Sequence, residues 1–365
     1  MNIARTSCFI RKGKAFLVAM LAGVATFVGA GTALAQNAFI ANQGSNNVTV
    51  INTATNTATA TVAVGTAPIG VAVSTDGARA YVSNFFSSNV SVIDAVTNTV
   101  TATIAVGTQP FALAVTPDGS RVYVANQGTD NVSVINTATN AVIATVTVGD
   151  LPRAVAISPD GARAYVVNAN DNTVSVINTA TNTVSATFGS AVSPQGLVVS
   201  PDGTRLYVSN FNSDTVAVFN TATNTLVSNV IVGDAPHGIA VTPDGTRVYT
   251  ANNFTNTVSV IDTATNTVVA TITVGNGPRG VAVTPDGARL YSTNTSGSVS
   301  VINTATNTVV ATLAAGTTPG GFGRFIGPAP VVATIPTLSE WAMILLGLML
   351  AGVAVAYIQR RHTTA

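Results

Sequence analysis

Residues 280–294 read GVAVTPDGARLYSTN: one apolar run from Gly280 to Val283, a second around Leu290 and Tyr291, and Pro285-Asp286-Gly287 between them. Pro and Gly fit the backbone angles of tight turns and Asp bonds the backbone beyond it, so the stretch predicts a β-hairpin. Residues 298–316, SVSVINTATNTVVATLAAG, give two more apolar runs joined by Asn303-Thr304-Ala305-Thr306-Asn307. Asn and Thr side chains bond nearby backbone groups and hold such a turn. Together the two stretches predict four short antiparallel strands, here A to D in chain order.

The unit recurs. Asp76, Asp118, Asp160, Asp202, Asp244 and Asp286 are each followed by Gly at a constant step of 42. Tyr81, Tyr123, Tyr165, Tyr207, Tyr249 and Tyr291 keep the same step, and Phe39 extends it backward. Pro68, Pro110, Pro152, Pro194, Pro236 and Pro278 follow suit; Pro319 comes 41 later, after a one-residue loss near Gly297. The turn NTATN occurs five times, with DTATN at 262–266 and DAVTN at 94–98. A four-stranded sheet cannot bury both faces alone, and copies stacked around an axis bury them against each other. A period in the low forties with strand-like content therefore predicts an all-β, seven-bladed β-propeller. Its first blade begins in strand B at NAFIAN, and PGGFGRFIG (319–327) is placed to supply the missing strand A and close the ring. Arg324 stands there where the other blades have Val or Ile.

Composition agrees. The chain has 365 residues, 47% hydrophobic and 8% charged, with a net charge of +1. Between Gln36 and Pro330 there are nine Arg and thirteen Asp, no Lys and no Glu. The body is mildly acidic, which argues against nucleic acid as a partner.

The ends read as addresses. Residues 1–35 carry Arg5, Arg11, Lys12 and Lys14, then an apolar run, then Ala33-Leu34-Ala35, the pattern of a secretory signal cut after Ala35 by signal peptidase. Cys8, the only cysteine, would leave with it. After a linker at 328–334, Ile335-Pro336-Thr337-Leu338 and Glu340-Trp341 precede an uncharged run of 17 residues, 342–358. Its length is at the short end for a transmembrane helix. Arg360 and Arg361 follow, and 362–365 is a short tail. The basic pair predicts a cytoplasmic end, with the body on the periplasmic side.

Residues 335–361 resemble the IPTL-type C-terminal sorting signal of Gram-negative bacteria, although Ala342 stands where that family usually has Gly. The resemblance implies an exosortase-like protease that removes a transient membrane anchor and sends the body to the cell surface or beyond. Residues 36–327, with P-x-G-(V/I)-A-V-x-P-D-G-x-R-x-Y-V-x-N, resemble the YVTN-type β-propeller repeat of prokaryotic surface-layer and other exported proteins. The copies read FIAN, YVSN, YVAN, YVVN, YVSN, YTAN and YSTN. That resemblance speaks for fold; one fold hosts many functions.

Strand direction places the A–B and C–D turns on one rim, nearly identical in every blade, and the D–A and B–C loops on the other. The second rim varies. After its recurring Pro stand Ile69, Phe111, Arg153, Gln195, His237, Arg279 and Gly320, and its B–C loops hold Phe85, Phe86, Phe211 and Phe254. A partner would meet this rim, with Arg153, His237 and Arg279 near the channel mouth. Each Asp-Gly-x-Arg element is expected to be a turn with a surface ion pair. The Asn that ends every strand B is expected to cap a loop. NANDN (168–172) matches no EF-hand spacing, and a lone His makes no multi-histidine centre, so no metal site is expected.

Two functions compete. One is a non-enzymatic exported propeller that binds a surface protein or polysaccharide, with no catalytic residue and no cofactor. The other is an exported lactonase or similar hydrolase, whose acid–base groups would come from Asp150, Asp234 and His237 with Arg153 and Arg279. A redox partner is disfavoured, since no haem-attachment motif or copper-type Cys/His set is present. Poverty in reactive residues favours the first.

Overall fold

The computed structural model describes residues 36–330, 345–353 and 355–356. Residues 36–330 form seven antiparallel sheets, six of four strands in chain order and a first of three. In blade 2 the strands are A, Pro68–Val73, B, Arg79–Asn84, C, Asn89–Asp94, and D, Thr99–Ala105. Blades 3 to 7 begin at Pro110, Pro152, Pro194, Pro236 and Pro278.

The burial pattern shows why the copies stack. Strands B and C of blade 2 are buried on both faces, whereas strand D is largely exposed. Tyr81, Val90 and Val92 of blade 2 pack with Leu113, Val122, Val124 and Ile135 of blade 3, so the core lies between blades. Each buried aliphatic side chain contributes about 1.5–3 kcal/mol.

Residues 319–327 close the ring as expected. They bridge strand B of blade 1 (Asn37–Asn42) at Ala38–Ile326 and Asn42–Pro319. The Phe39 N–H donates to the Phe325 carbonyl at 2.9 Å. The segment also binds blade 2, where Val71 and Val73 donate to the Phe322 and Arg324 carbonyls at 3.0 Å. It is thus shared between two blades.

The repeated turn has a specific geometry. Asn178 Oδ1 accepts from the N–H groups of Ala180 and Thr181, at 2.9 and 3.2 Å. The closing Asn182 is left-handed, with φ of 53°, and so are its counterparts in all seven blades. Asn tolerates this conformation better than other non-glycine residues.

One sequence expectation is corrected and a second is extended. The Asp118 carboxylate takes the Thr116 hydroxyl and the Ser120 N–H, while the Arg121 guanidinium reaches past it to the Thr179 carbonyl of the next blade at 2.5 Å. Arg79 and Arg163 do the same toward Thr137 and Thr221. The Arg therefore staples neighbouring blades, and its attraction to the Asp is the smallest influence on that carboxylate. The Asn that ends strand B does more than cap a loop: Asn126 is fully buried and donates sideways to Asn131 Oδ1 and Ser133 Oγ of strand C, while Asn42 Oδ1 does cap a loop, accepting from the Gly316 N–H at 3.0 Å.

The signal segment 1–35 and the sorting residues Ala35, Ile335, Pro336, Thr337, Leu338, Glu340, Trp341, Arg360 and Arg361 lie outside the described residues. Residues 345–353 and 355–356 are helical, with Leu346, Leu348 and Met349 exposed. No helix among the described residues is long and apolar enough to cross a membrane, and residues 342–344, 354 and 357–358 of the expected transmembrane helix lie outside them.

Candidate functional site

The variable rim is built by a backbone device repeated in each blade. The residue before each strand-A proline is left-handed, as at Leu151 (φ 57°), Ala235 (56°) and Gly277 (65°). At five of the seven its N–H is held by a B–C loop side chain, as for Leu151 by Asp130 at 3.0 Å, Ala235 by Asp214 at 2.9 Å and Gly277 by Asn256 at 2.8 Å. Part of the B–C loop sequence is therefore structural. Beyond the proline the A–B ladder slips: between Pro152 and Ala154, between Pro236 and Ile239, and between Pro278 and Val281. Arg153, His237 and Arg279 fall within these slips. Such bulges release residues from the ladder and re-aim their side chains.

The released side chains meet over the axis. Phe86 packs on Phe85 at 5.0 Å between ring centroids, and Phe85 on Phe111 at 6.5 Å. Phe111 meets Phe322 of the closing segment at 4.8 Å, and Phe322 meets His237 at 5.9 Å. His237 packs on Phe211 at 4.9 Å, and Phe211 on Phe254 at 5.5 Å. Seven rings thus form an unbroken row across the mouth. Its centre is closed, with Phe322 only 3% exposed, while Phe86 and Phe254 at its ends are each 68% exposed. The row brings together Phe85, Phe86, Phe111, Phe211, Phe254 and His237 of the predicted site residues, while Gln195 is not joined to it, and Phe322 is the member that sequence reasoning missed. Its signal was present: the equivalent positions hold Val71, Leu113 and Val155, so an aromatic there was out of pattern.

Charge gathers on the same row. The Arg153 guanidinium lies 4.8 Å from the Phe111 ring centroid, a cation–π contact. Arg279 donates to Gln43 Oε1 at 3.1 Å. Gln195 is buried and its Nε2 reaches Ser193 Oγ at 3.1 Å. Burial lowers the pKa of both arginines, and Arg279 further lowers that of Arg153. Burial, then Arg279 and Arg153, push His237 down to about 3, so its imidazole is neutral at physiological pH. No carboxylate offsets these effects at any of the three. Nε of Arg153, Nε of Arg279 and Nδ1 of His237 are buried with no hydrogen-bond partner among the described residues. The two arginines are buried donors of positive sign with no counter-charge, which suits an anionic group, and the neutral His237 adds an unpartnered ring nitrogen.

The other candidates have local roles. Asp150 and Asp234 are exposed, and neither influences His237. In NANDN, Asn168 is buried against Thr173 and Ser175, Asp171 accepts from the Asp150 N–H, and Asn172 accepts from the Ser193 N–H. Among the described residues no group of three or more His, Cys, Asp or Glu is placed to hold a metal ion.

Family models match three parts of the chain. Residues 137–269 match one described as lactonase, 7-bladed beta-propeller, and residues 54–170 one described as YNCE-like beta-propeller. Residues 333–362 match the IPTL-CTERM motif. No curated protein matches the chain. Among solved structures, Kuenenia stuttgartiensis hydrazine synthase is similar at 25% identity and a TM-score of 0.68, over 77% of this chain and 99% of that one. A functionally unknown protein from Desulfotomaculum acetoxidans DSM 771 is 19% identical with a TM-score of 0.70, over 80% and 99%. A dihydro-heme d1 dehydrogenase, NirN, in complex with DHE, is 18% identical with a TM-score of 0.61, over 78% and 64%. The last two likenesses are of fold alone.

Proposed function

We propose that this seven-bladed β-propeller with an IPTL-CTERM motif is an exported, non-enzymatic binding protein that holds an anionic surface partner on its variable rim. The carrying observation is the carboxylate-free cluster of Arg153, His237 and Arg279 along a row of aromatic rings. Arginine and aromatic side chains concentrate binding energy where water is excluded. The exposed ends, Phe86 and Phe254, extend the contact surface beyond the cations. An acidic surface polysaccharide or an acidic protein segment presents the matching charge.

The IPTL-CTERM motif suggests an exported, C-terminally processed protein. In this reading signal peptidase removes 1–35, the tail anchors the chain transiently in the inner membrane, and an exosortase-like protease then frees the body.

The lactonase match at 137–269 favours a second reading, since that span includes Arg153, Gln195 and His237. Against it, an imidazole with a pKa of about 3 is a weak base and carries no proton to donate at neutral pH.

The test compares polyuronate with neutral dextran. Retention of the protein on polyuronate, none on dextran, and at least tenfold weaker retention for the triple variant R153A/H237A/R279A are expected. Equal retention of wild type and triple variant would overturn the binding site. Turnover of a lactone panel that depends on His237 would overturn the non-enzymatic role.

A further inference from the structure

The axis of the ring holds a second feature, which shares only Phe322 with the aromatic row of the rim: a cavity of about 510 Å³. Phe322 walls it on the side of the variable rim. At its other end stand Thr75, Pro117, Pro201 and Pro243, all exposed residues of the A–B turns. The cavity therefore opens on the invariant rim, the face that sequence variation gave no reason to inspect.

Just inside this mouth, equivalent strand-A positions of blades 2 to 7 contribute one residue each to the wall. All six are aliphatic: Val73, Val115, Ile157, Val199, Val241 and Val283. They are joined by Arg324, which comes from two extra residues in the closing segment: Ile326, not Arg324, pairs with Ala38 as Val73 pairs with Ala80. The Arg324 backbone is fixed, because its carbonyl accepts from the Val73 N–H at 3.0 Å. Its side chain is exposed, and burial among the surrounding walls still lowers its pKa with no carboxylate to offset the effect. A lone guanidinium with low-dielectric walls focuses its field along the opening and offers a planar fork to a carboxylate. Deeper in, Ala114, Leu197 and Ile239 lead to the Phe322 ring, so the depth is apolar.

We propose that this axial cavity takes an aliphatic carboxylate from the invariant rim, with the carboxylate on Arg324 and the hydrocarbon chain directed toward Phe322. Both ends of the ligand are then matched: the charge meets a cation without a counter-ion, and the chain displaces water from apolar wall.

Titration calorimetry of the purified full-length protein with octanoate tests this, with octanol as the uncharged comparison. Saturable binding of one octanoate is expected, with octanol at least tenfold weaker. R324Q should weaken octanoate at least tenfold, and R324K should fall between R324Q and wild type. Octanol binding as tightly as octanoate, or unchanged affinity in R324Q, would overturn the proposal. So would the absence of octanoate binding. The wild-type comparison of octanoate with octanol decides the point even if R324Q fails to fold. Because the rim test uses polyuronate and different residues, either reading can fail without the other.

Discussion

The Arg289 guanidinium donates to the Thr53 carbonyl at 2.6 Å, joining the last blade to the first across 236 residues of chain. Tyr291 adds a second tie, its hydroxyl donating to Asn56 Oδ1 at 2.7 Å. The same staple that links neighbouring blades elsewhere therefore also spans the seam. A hydrogen bond from a charged group contributes about 1.5–3 kcal/mol. Arg289→Met should lower the unfolding free energy by about that amount, read from urea denaturation. A change below about 0.5 kcal/mol would show that this contact is a surface one of the usual small worth.

Glycine at the inner strand is a matter of space. A Cβ on Gly280 would lie 2.1 Å from the Gly321 carbonyl oxygen, in the closing segment. A Cβ on Gly189 would meet nothing within 4 Å. Gly280→Ala should destabilise by roughly 1–3 kcal/mol through overpacking, and Gly189→Ala should be neutral or stabilising by up to about 1 kcal/mol. Thermal melting of the two variants side by side checks the contrast; equal effects would mean that the closing segment shifts freely.

Acid should act first through His237. Its pKa is about 3 in the fold against the ordinary 6.5, with Arg279 and Arg153 as its charged neighbours. As pH falls below about 6.5 the unfolded chain binds this proton and the folded chain does not, so stability is lost progressively down to about pH 3. The slope approaches about 1.4 kcal/mol per pH unit. The Asp-Gly turns act lower. At Asp118 the Thr116 hydroxyl is the main cause holding the carboxyl below its ordinary 3.8, so its contribution persists until the pH falls below that value. Urea midpoints between pH 7 and 4.5 should fall for wild type and stay level for His237→Gln. Parallel curves would mean that His237 titrates normally.

The 42-residue step made the blades legible because each position in a repeat faces the same environment in its neighbours. Equivalence also placed 319–327 as the closing strand, and grouped the residues after the strand-A proline as one rim. It could not show which side chains meet across the axis, where non-equivalent blades face one another. Phe322 joins Phe111 to His237 only because the ring brings blades 3 and 6 to the same point. The Asp-Gly-x-Arg elements misled for a related reason. Proximity in sequence paired Asp118 with Arg121, whereas Arg121 spends its bond on the next blade, 58 residues on. Arg324 was visible as a break in the pattern; what it faces became visible only once six aliphatic residues stood around it.

The clasp made by residues 319–327 also sets an order in time. Blade 1 is the first to be synthesised, yet Phe39 and Ala41 find their backbone partners only in Phe325 and Gly320. Ring closure must bring together residues separated by nearly the whole domain, and contacts so distant in sequence form slowly. A nascent chain lacking its last few propeller residues therefore holds an unfinished first sheet with an open edge. The segment made first is completed last.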